Sequence, residues 1–261
     1  MKRKTLTLVL CLLTVMSLVG VGFASWVISA DASVPVEGNI IVDTVADKRL
    51  ELTVAFENDQ KDIKFCGAGE TVLDPATNWL YLDDSSKVEN LIVTVHCTLK
   101  YKGLDEQGNK IKFTVTDEDS KKYVGIELSA NFIEPTNTAL TTAKDASCIE
   151  NKGAKIEKVK LDSTQTTLTF DVVITYAWGS RFDNKNPFDF YNYNKSVNDK
   201  LTSSIEFNGT TLNENNTWGD HAAFFLGLLD KIDNDSAATN YSLTITAANS
   251  TDSKKLEVET A

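Results

Sequence analysis

Leu91-Ile92-Val93-Thr94-Val95-His96-Cys97-Thr98-Leu99-Lys100-Tyr101 is the stretch whose reading decides the fold. Leu91, Val93, Val95, Cys97, Leu99 and Tyr101 point one way, while Thr94, His96, Thr98 and Lys100 point the other. A period of two is the mark of a strand with one face buried. Leu168, Phe170, Val172, Ile174, Tyr176 and Trp178 repeat it over Thr169, Asp171 and Thr175. Shorter versions are Leu50-Leu52-Val54-Phe56, Ile111-Phe113-Val115, Val124-Ile126-Leu128-Ala130-Phe132 and Tyr241-Leu243-Ile245-Ala247. Weaker strands are expected at 38–45, 156–161 and 256–258. Turns such as Gln107-Gly108-Asn109 and Asn208-Gly209 separate the runs. Polar outer faces imply antiparallel sheets packed on one side. The expected fold class is therefore mainly β, an antiparallel two-sheet sandwich of jelly-roll type with one or two short accessory helices.

Two segments carry helical spacing instead. Ser196 opens Ser-x-x-Asp with Asp199, and Val197, Leu201 and Ile205 recur every four residues. Asp220 is a candidate cap for a second helix, whose Phe225, Leu228, Leu229 and Ile232 form one stripe. No internal repeat or low-complexity linker divides the body.

Composition narrows the function classes. The 261 residues hold 26 basic and 37 acidic side chains, a net charge of −11. Such a chain is a poor nucleic-acid binder, because that affinity comes from Lys and Arg neutralising phosphates. Apolar residues at 42% and charged ones at 24% describe a globular chain.

Lys2-Arg3-Lys4 precedes a weakly polar to apolar run from Thr5 to Phe23. A basic start before such a run is the pattern of a secretory signal, and Gly22-Phe23-Ala24 offers a cleavage site after Ala24. The run is also long enough to span a bilayer, so an uncleaved anchor is the alternative. The expected organisation is a signal peptide at 1–24, an N-terminal segment at 25–45 and a β-sandwich domain at 46–261. Cleavage leaves Cys66, Cys97 and Cys148, so at most one disulfide can form. Cys97, on the inward face of its strand, reads as a core residue.

The search for chemistry finds no catalytic constellation. His96 and His221 are far apart, with no His-Glu-x-x-His and no Cys-x-x-Cys. Both histidines read as surface or capping residues. Asp117-Glu118-Asp119, Asp83-Asp84 and the 230–235 acids read as solvated turns, although Asp233-Asn234-Asp235 offers oxygen ligands without an EF-hand frame. No cofactor is expected and no metal site is assigned. The densest unusual segment runs from Trp178 to Tyr193. Its Trp178, Arg181, Phe182, Phe188, Tyr191 and Tyr193 form a candidate surface for a glycan or a protein partner. The alternative, favoured here, is a lid folded onto one end of the sandwich, because rings bury large areas.

The basic start, the apolar run, Gly20-Val21-Gly22-Phe23-Ala24-Ser25-Trp26 and then Gly38-Asn39-Ile40-Ile41-Val42 resemble Firmicute proteins exported through the SipW signal peptidase. That group includes the TasA/camelysin biofilm-matrix family, and the likeness covers roughly the first 45 residues. The Trp-Gly…Asn-Pro-Phe…Tyr-Asn segment at 178–192 also resembles one found in this group. The resemblance implies a jelly-roll protein of the extracellular matrix or cell surface whose copies link into fibres. In such fibres an N-terminal segment of one subunit completes a sheet of the next; here it falls within 27–45, with Ile40, Ile41, Val42 and Val45 as assembly residues. Camelysin was classed as a metalloprotease, but no zinc motif here carries that activity over, and the chain is read as not an enzyme. The expected partners are other copies of the chain or matrix proteins, signal peptidase during export, and a glycan. No nucleic acid is expected, and a membrane only through the signal segment. A secreted adhesin or glycan-binding module using the 178–193 aromatics is the second reading, and a secreted hydrolase the third.

Overall fold

Alternating apolar side chains put just under half of the described residues in strands, and the strands share one core. The computed structural model describes residues 30–34, 40–59, 63, 65, 91–233, 235 and 240–260. The expected signal peptide, Cys66 and Asp83-Asp84 lie outside them. Thirteen strands are present among the described residues: β1 (Ala30–Val34), β2 (Ile40–Ala46), β3 (Leu50–Phe56), β4 (Leu91–Tyr101), β5 (Val115–Glu118), β6 (Lys121–Val124), β7 (Ile126–Ile133), β8 (Ile149–Leu161), β9 (Leu168–Trp178), β10 (Ile205–Phe207), β11 (Thr210–Leu212), β12 (Tyr241–Asn249) and β13 (Leu256–Thr260). The helices are α1 (Thr138–Asp145), α2 (Pro187–Val197) and α3 (Trp218–Asp233), with 3-10 turns at Glu57–Asp59 and Ser180–Phe182.

A seven-stranded sheet runs β3-β4-β9-β8-β13-β6-β5, and a four-stranded sheet runs β1-β2-β12-β7. The small β10-β11 hairpin turns on Asn208 and Gly209 with φ of 49° and 76°, the backbone of the tight turn that Asn-Gly favours. The expectation of wholly antiparallel sheets is corrected in both large sheets. β2 runs parallel to β12, and β8 runs parallel to β13. Alternation reports which face of a strand is buried and carries no record of its neighbour's direction.

The two sheets meet through side chains. Ile40, Val42, Leu243 and Ile245 of the small sheet are fully buried, as are Val95, Val172 and Ile174 of the large one. Across the gap, the Tyr176 ring lies 6.2 Å from Tyr241 and 6.3 Å from Phe132.

The expected single strand through Val124–Phe132 is two strands in two sheets. β6 pairs with β13 in the large sheet, and β7 pairs with β12 in the small one. The switch falls at Gly125, whose carbonyl accepts from Ser250 N at 2.8 Å. Val124 and Ile126 are both buried, so the alternation passes unbroken through the corner and hides it from a periodicity reading. The expected strand over Ile111–Val115 also shifts, since strand pairing starts only at Val115. Phe113 is buried all the same, its N–H donating to Gln165 O at 2.8 Å.

The helix expected from Ser196 to Ile205 does not form. α2 ends at Val197, Ser196 Oγ donates to Tyr193 O, and Ile205 opens a strand. Three apolar residues at four-residue spacing fit a helix end, a turn and a strand start equally well. α3 forms as expected with Phe225, Leu229 and Ile232 buried, but its cap is Thr217. Thr217 N donates to Asp220 Oδ2 at 2.7 Å, and Asp220 N donates back to Thr217 Oγ1 at 3.1 Å. This is a reciprocal capping box with Asp220, the third residue of the helix, as its acid.

β9 stops where the chain must pass against another backbone. A Cβ on Gly179 would sit 2.1 Å from Ser147 O, whereas one on Gly227 in α3 would meet nothing within 4 Å. Opposite outcomes follow for one substitution. Gly179→Ala is expected to cost about 3 kcal/mol or more by overpacking, and Gly227→Ala to stabilise by about 0.5–1 kcal/mol through helix propensity. Urea unfolding of the two variants measures both signs.

Candidate functional site

The assembly residues named from sequence all fall on β2. Ile40 and Val42 are fully buried; Ile41 and Val45 are placed by their backbone register, opposite Ser242 and Thr246 of β12. β2 is not at the rim of its sheet. β1 pairs with it antiparallel from Ala30↔Ala46 to Val34↔Val42 and is itself the outermost strand. β2 leaves its sheet through a short turn. Leu50 N donates to Asp47 O at 2.7 Å, and Arg49 Nη2 pairs with Asp47 Oδ2 at 2.7 Å. Asp47 also accepts from Asn249 Nδ2, and Asn249 Oδ1 accepts from Tyr101 Oη. The Arg49 hydrogen bond holds the Asp47 carboxyl well below the ordinary carboxylate range. One polar cluster therefore ties the β2–β3 turn to the ends of β4 and β12.

The 178–193 aromatics build a core more than a surface. Trp178, Phe182, Phe190 and Tyr191 are buried. Phe182 sits at the centre, edge-on to Trp178 at 6.0 Å, Phe190 at 5.9 Å and Tyr191 at 6.1 Å. Arg181 spends its charge inward: its Nε donates to Ala146 O, and its guanidinium lies 4.3 Å over the Phe225 ring. The Phe188 side chain lies outside the described residues. Of the rings proposed as a ligand surface, Tyr193 is exposed, at 63%, with Lys185 Nζ 5.6 Å from its centre. Trp178, Phe182 and Tyr191 thus present no surface to a partner: Trp178 and Phe182 are buried against each other, Phe182 against Phe190 and Tyr191 of α2, and Tyr191 against His221 of α3.

The two histidines have opposite environments. His96 is half exposed on the outer face of β4, and its Nδ1 donates to Asp171 Oδ1 at 2.7 Å. Lys158 reaches the second oxygen of Asp171 at 2.9 Å. Burial works against ionised Asp171, but these two hydrogen bonds outweigh it and hold the carboxyl low. His221 corrects the expectation of a surface or capping residue. It is 1% exposed in the first turn of α3, hydrogen-bonded through Nδ1 to Tyr191 Oη at 2.7 Å and ringed by Phe190, Trp218 and Phe225. Residue type alone cannot distinguish a solvated histidine from one buried among rings that lie elsewhere in the sequence.

Cys97 and Cys148 are buried free thiols, each pushed up to about 12 by burial. A thiol at that value is neither a nucleophile nor a ready metal ligand at neutral pH. The acids at the end of α3 are tied into the fold: Asp233 accepts from Phe65 N and Asp235 accepts from Asn137 Nδ2. Asn137 in turn caps α1 through Ala139 N. Among the described residues no group of three or more His, Cys, Asp or Glu side chains is placed to hold a metal ion.

A feature that periodicity does not reveal is a cleft of about 170 Å³ at the Gly125 corner, bordered by Tyr101, Phe113 and Asn249. It forms because two chain segments change sheets side by side, a property of topology alone.

Comparison with family models, with curated proteins and with solved structures finds no match to this chain.

Burial, with the nearby Arg181 charge second, holds His221 down at about 3 against an ordinary value of 6.5. The unfolded chain takes up a proton below pH 6.5 that the folded chain refuses until about pH 3. This contribution is fully present above pH 6.5 and is lost as pH falls through that window, at about 1.4 kcal/mol per pH unit. Urea unfolding at pH 6.5 and pH 5.0, above most of the carboxylate range, is expected to show that slope. His221→Gln is expected to remove it.

Proposed function

We propose that this chain is an exported structural protein of the cell surface or biofilm matrix, built to link with copies of itself by strand addition. In this reading residues 1–24 direct export and are removed, and the remaining chain is a jelly-roll sandwich of two sheets. No catalytic role is assigned to it. The reading follows the resemblance of the N-terminus to proteins exported through SipW. The observation that carries it further is the position of β2. This strand comes from the N-terminal segment, fills the core with Ile40 and Val42, and is continued outward by β1, which leaves one edge of the sheet uncovered by any described strand.

Such a strand serves two arrangements with the same side chains. In a monomer it completes its own sheet. In a fibre the β1–β2 hairpin of one copy would take the same place beside β12 of the next, with main-chain hydrogen bonds and the same two apolar pockets. Burying Ile40 and Val42 contributes roughly 3–6 kcal/mol in either arrangement. The difference between monomer and fibre is thus small, and the exchange depends on concentration. The hinge is the Asp47–Arg49 turn, which must open for the hairpin to leave.

A staple tests this directly. Asp43 and Thr244 are register partners on β2 and β12, so Asp43→Cys with Thr244→Cys locks the strand to its own subunit when oxidised. Negative-stain microscopy is expected to show fibres from the reduced protein and none from the oxidised protein. Fibres that form equally well from both, or from neither while the unsubstituted protein is also monomeric at high concentration, would overturn the reading.

A further inference from the structure

The cleft at the Gly125 corner has the lining of a binding site for one neutral sugar ring, and the geometry points to that use. It opens where β6 passes into β7 and β12 turns toward β13. Its aromatic floor is the half-buried Tyr101 ring, backed by the buried Phe113 at 4.9 Å. The hydroxyls of Thr114, Thr251 and Ser253 border the cleft and make no hydrogen bond to another described residue. Gly125 keeps one wall bare, since a Cβ there would stand 3.1 Å from Ser250 O.

Charge decides the class of ligand. None of the ten lining residues is ionised at neutral pH, in a chain where 24% of residues are charged. Asp252, between the lining Thr251 and Ser253, has its carboxylate engaged by Lys254 N at 2.9 Å, and Asp47 and Arg49, beyond Asn249, pair with each other. Among the lining residues an anionic ligand would meet no Lys or Arg, and a cationic ligand no carboxylate. A sugar ring offers what the lining accepts: C–H faces for the aromatic floor and hydroxyls for the free Thr and Ser groups. The volume suits one small ring rather than an extended chain, so the ligand is a single residue of a neutral polysaccharide and the affinity is millimolar. This inference does not rest on fibre formation, and it places sugar recognition away from the aromatic segment at 178–193.

The test is amide-shift titration of the secreted protein with methyl glycosides of glucose, galactose, mannose and N-acetylglucosamine. Methyl glucuronide and glycerol serve as comparators. At least one neutral glycoside is expected to give saturable shifts centred on Gly125 and residues 250–253. Thr251→Val and Ser253→Ala, both at the rim, are each expected to weaken it by about three- to tenfold with Tm unchanged. Four results would overturn the inference: no saturable shift with any neutral glycoside, shifts centred elsewhere, equal or tighter binding of the glucuronide, or equal shifts from glycerol, the mark of an adventitious additive only. Fibres are scored separately by microscopy, so failure here leaves the assembly reading standing, and failure of assembly leaves this one.

Discussion

The parallel ladder between β2 and β12 is the interaction on which the rest of the molecule depends. It joins Ile40–Ala46 to Tyr241–Ala247, segments from opposite ends of the described chain. Without β2 the small sheet is reduced to β12 and β7, and an isolated pair of strands is marginal in water. The inward face of the large sheet would then lack the cover of Ile40 and Val42. Closing so long a loop costs entropy that must be met before the pairing is rewarded. The ladder is therefore both the keystone of the core and an expensive contact to form within one chain. A neighbouring copy supplying the same strand avoids that loop, which is the physical basis of the proposed exchange.

The corner at Gly125 and Ser250 is the second constraint. Two adjacent segments leave one sheet and enter the other there, held by the Gly125–Ser250 hydrogen bond. The bend lets β7 and β12 cover the face to which β6 and β13 are continuous. It also leaves an uncharged cleft at the outside of the turn. The polar tie from Tyr101 through Asn249 to Asp47 runs beside that cleft, so the corner, the cleft and the β2–β3 turn share one hydrogen-bonded cluster.

Much of the strand content was legible because period-two burial is local. Leu91–Tyr101, Leu168–Trp178 and Tyr241–Ala247 read correctly from their own residues, and so did the buried position of Cys97. What failed needed partners. The direction of β2 is set by β12, some two hundred positions away. Gly125 hides its corner because Val124 and Ile126 are inward on both sides of it. His221 looks like a first-turn surface residue until Tyr191, Phe190 and Trp218 are brought around it. The aromatic segment read as either lid or ligand surface, because ring content records a need for burial and does not say whose surface meets it. Packing among these rings, and of Tyr191 on His221, resolves Trp178, Phe182 and Tyr191 as interior and leaves Tyr193 outside.

The account's central claim is that β2 occupies one place beside β12 and can be supplied by either the same copy or the next. Fibres grown from an equal mixture of ¹⁵N-labelled and ¹³C-labelled protein measure this directly by solid-state magnetic resonance. The account predicts transfer between ¹⁵N of Ser242–Thr246 on one copy and ¹³C of Ile40–Thr44 on another. Fibres in which those contacts arise only within uniformly double-labelled molecules, and never in the mixture, would contradict it.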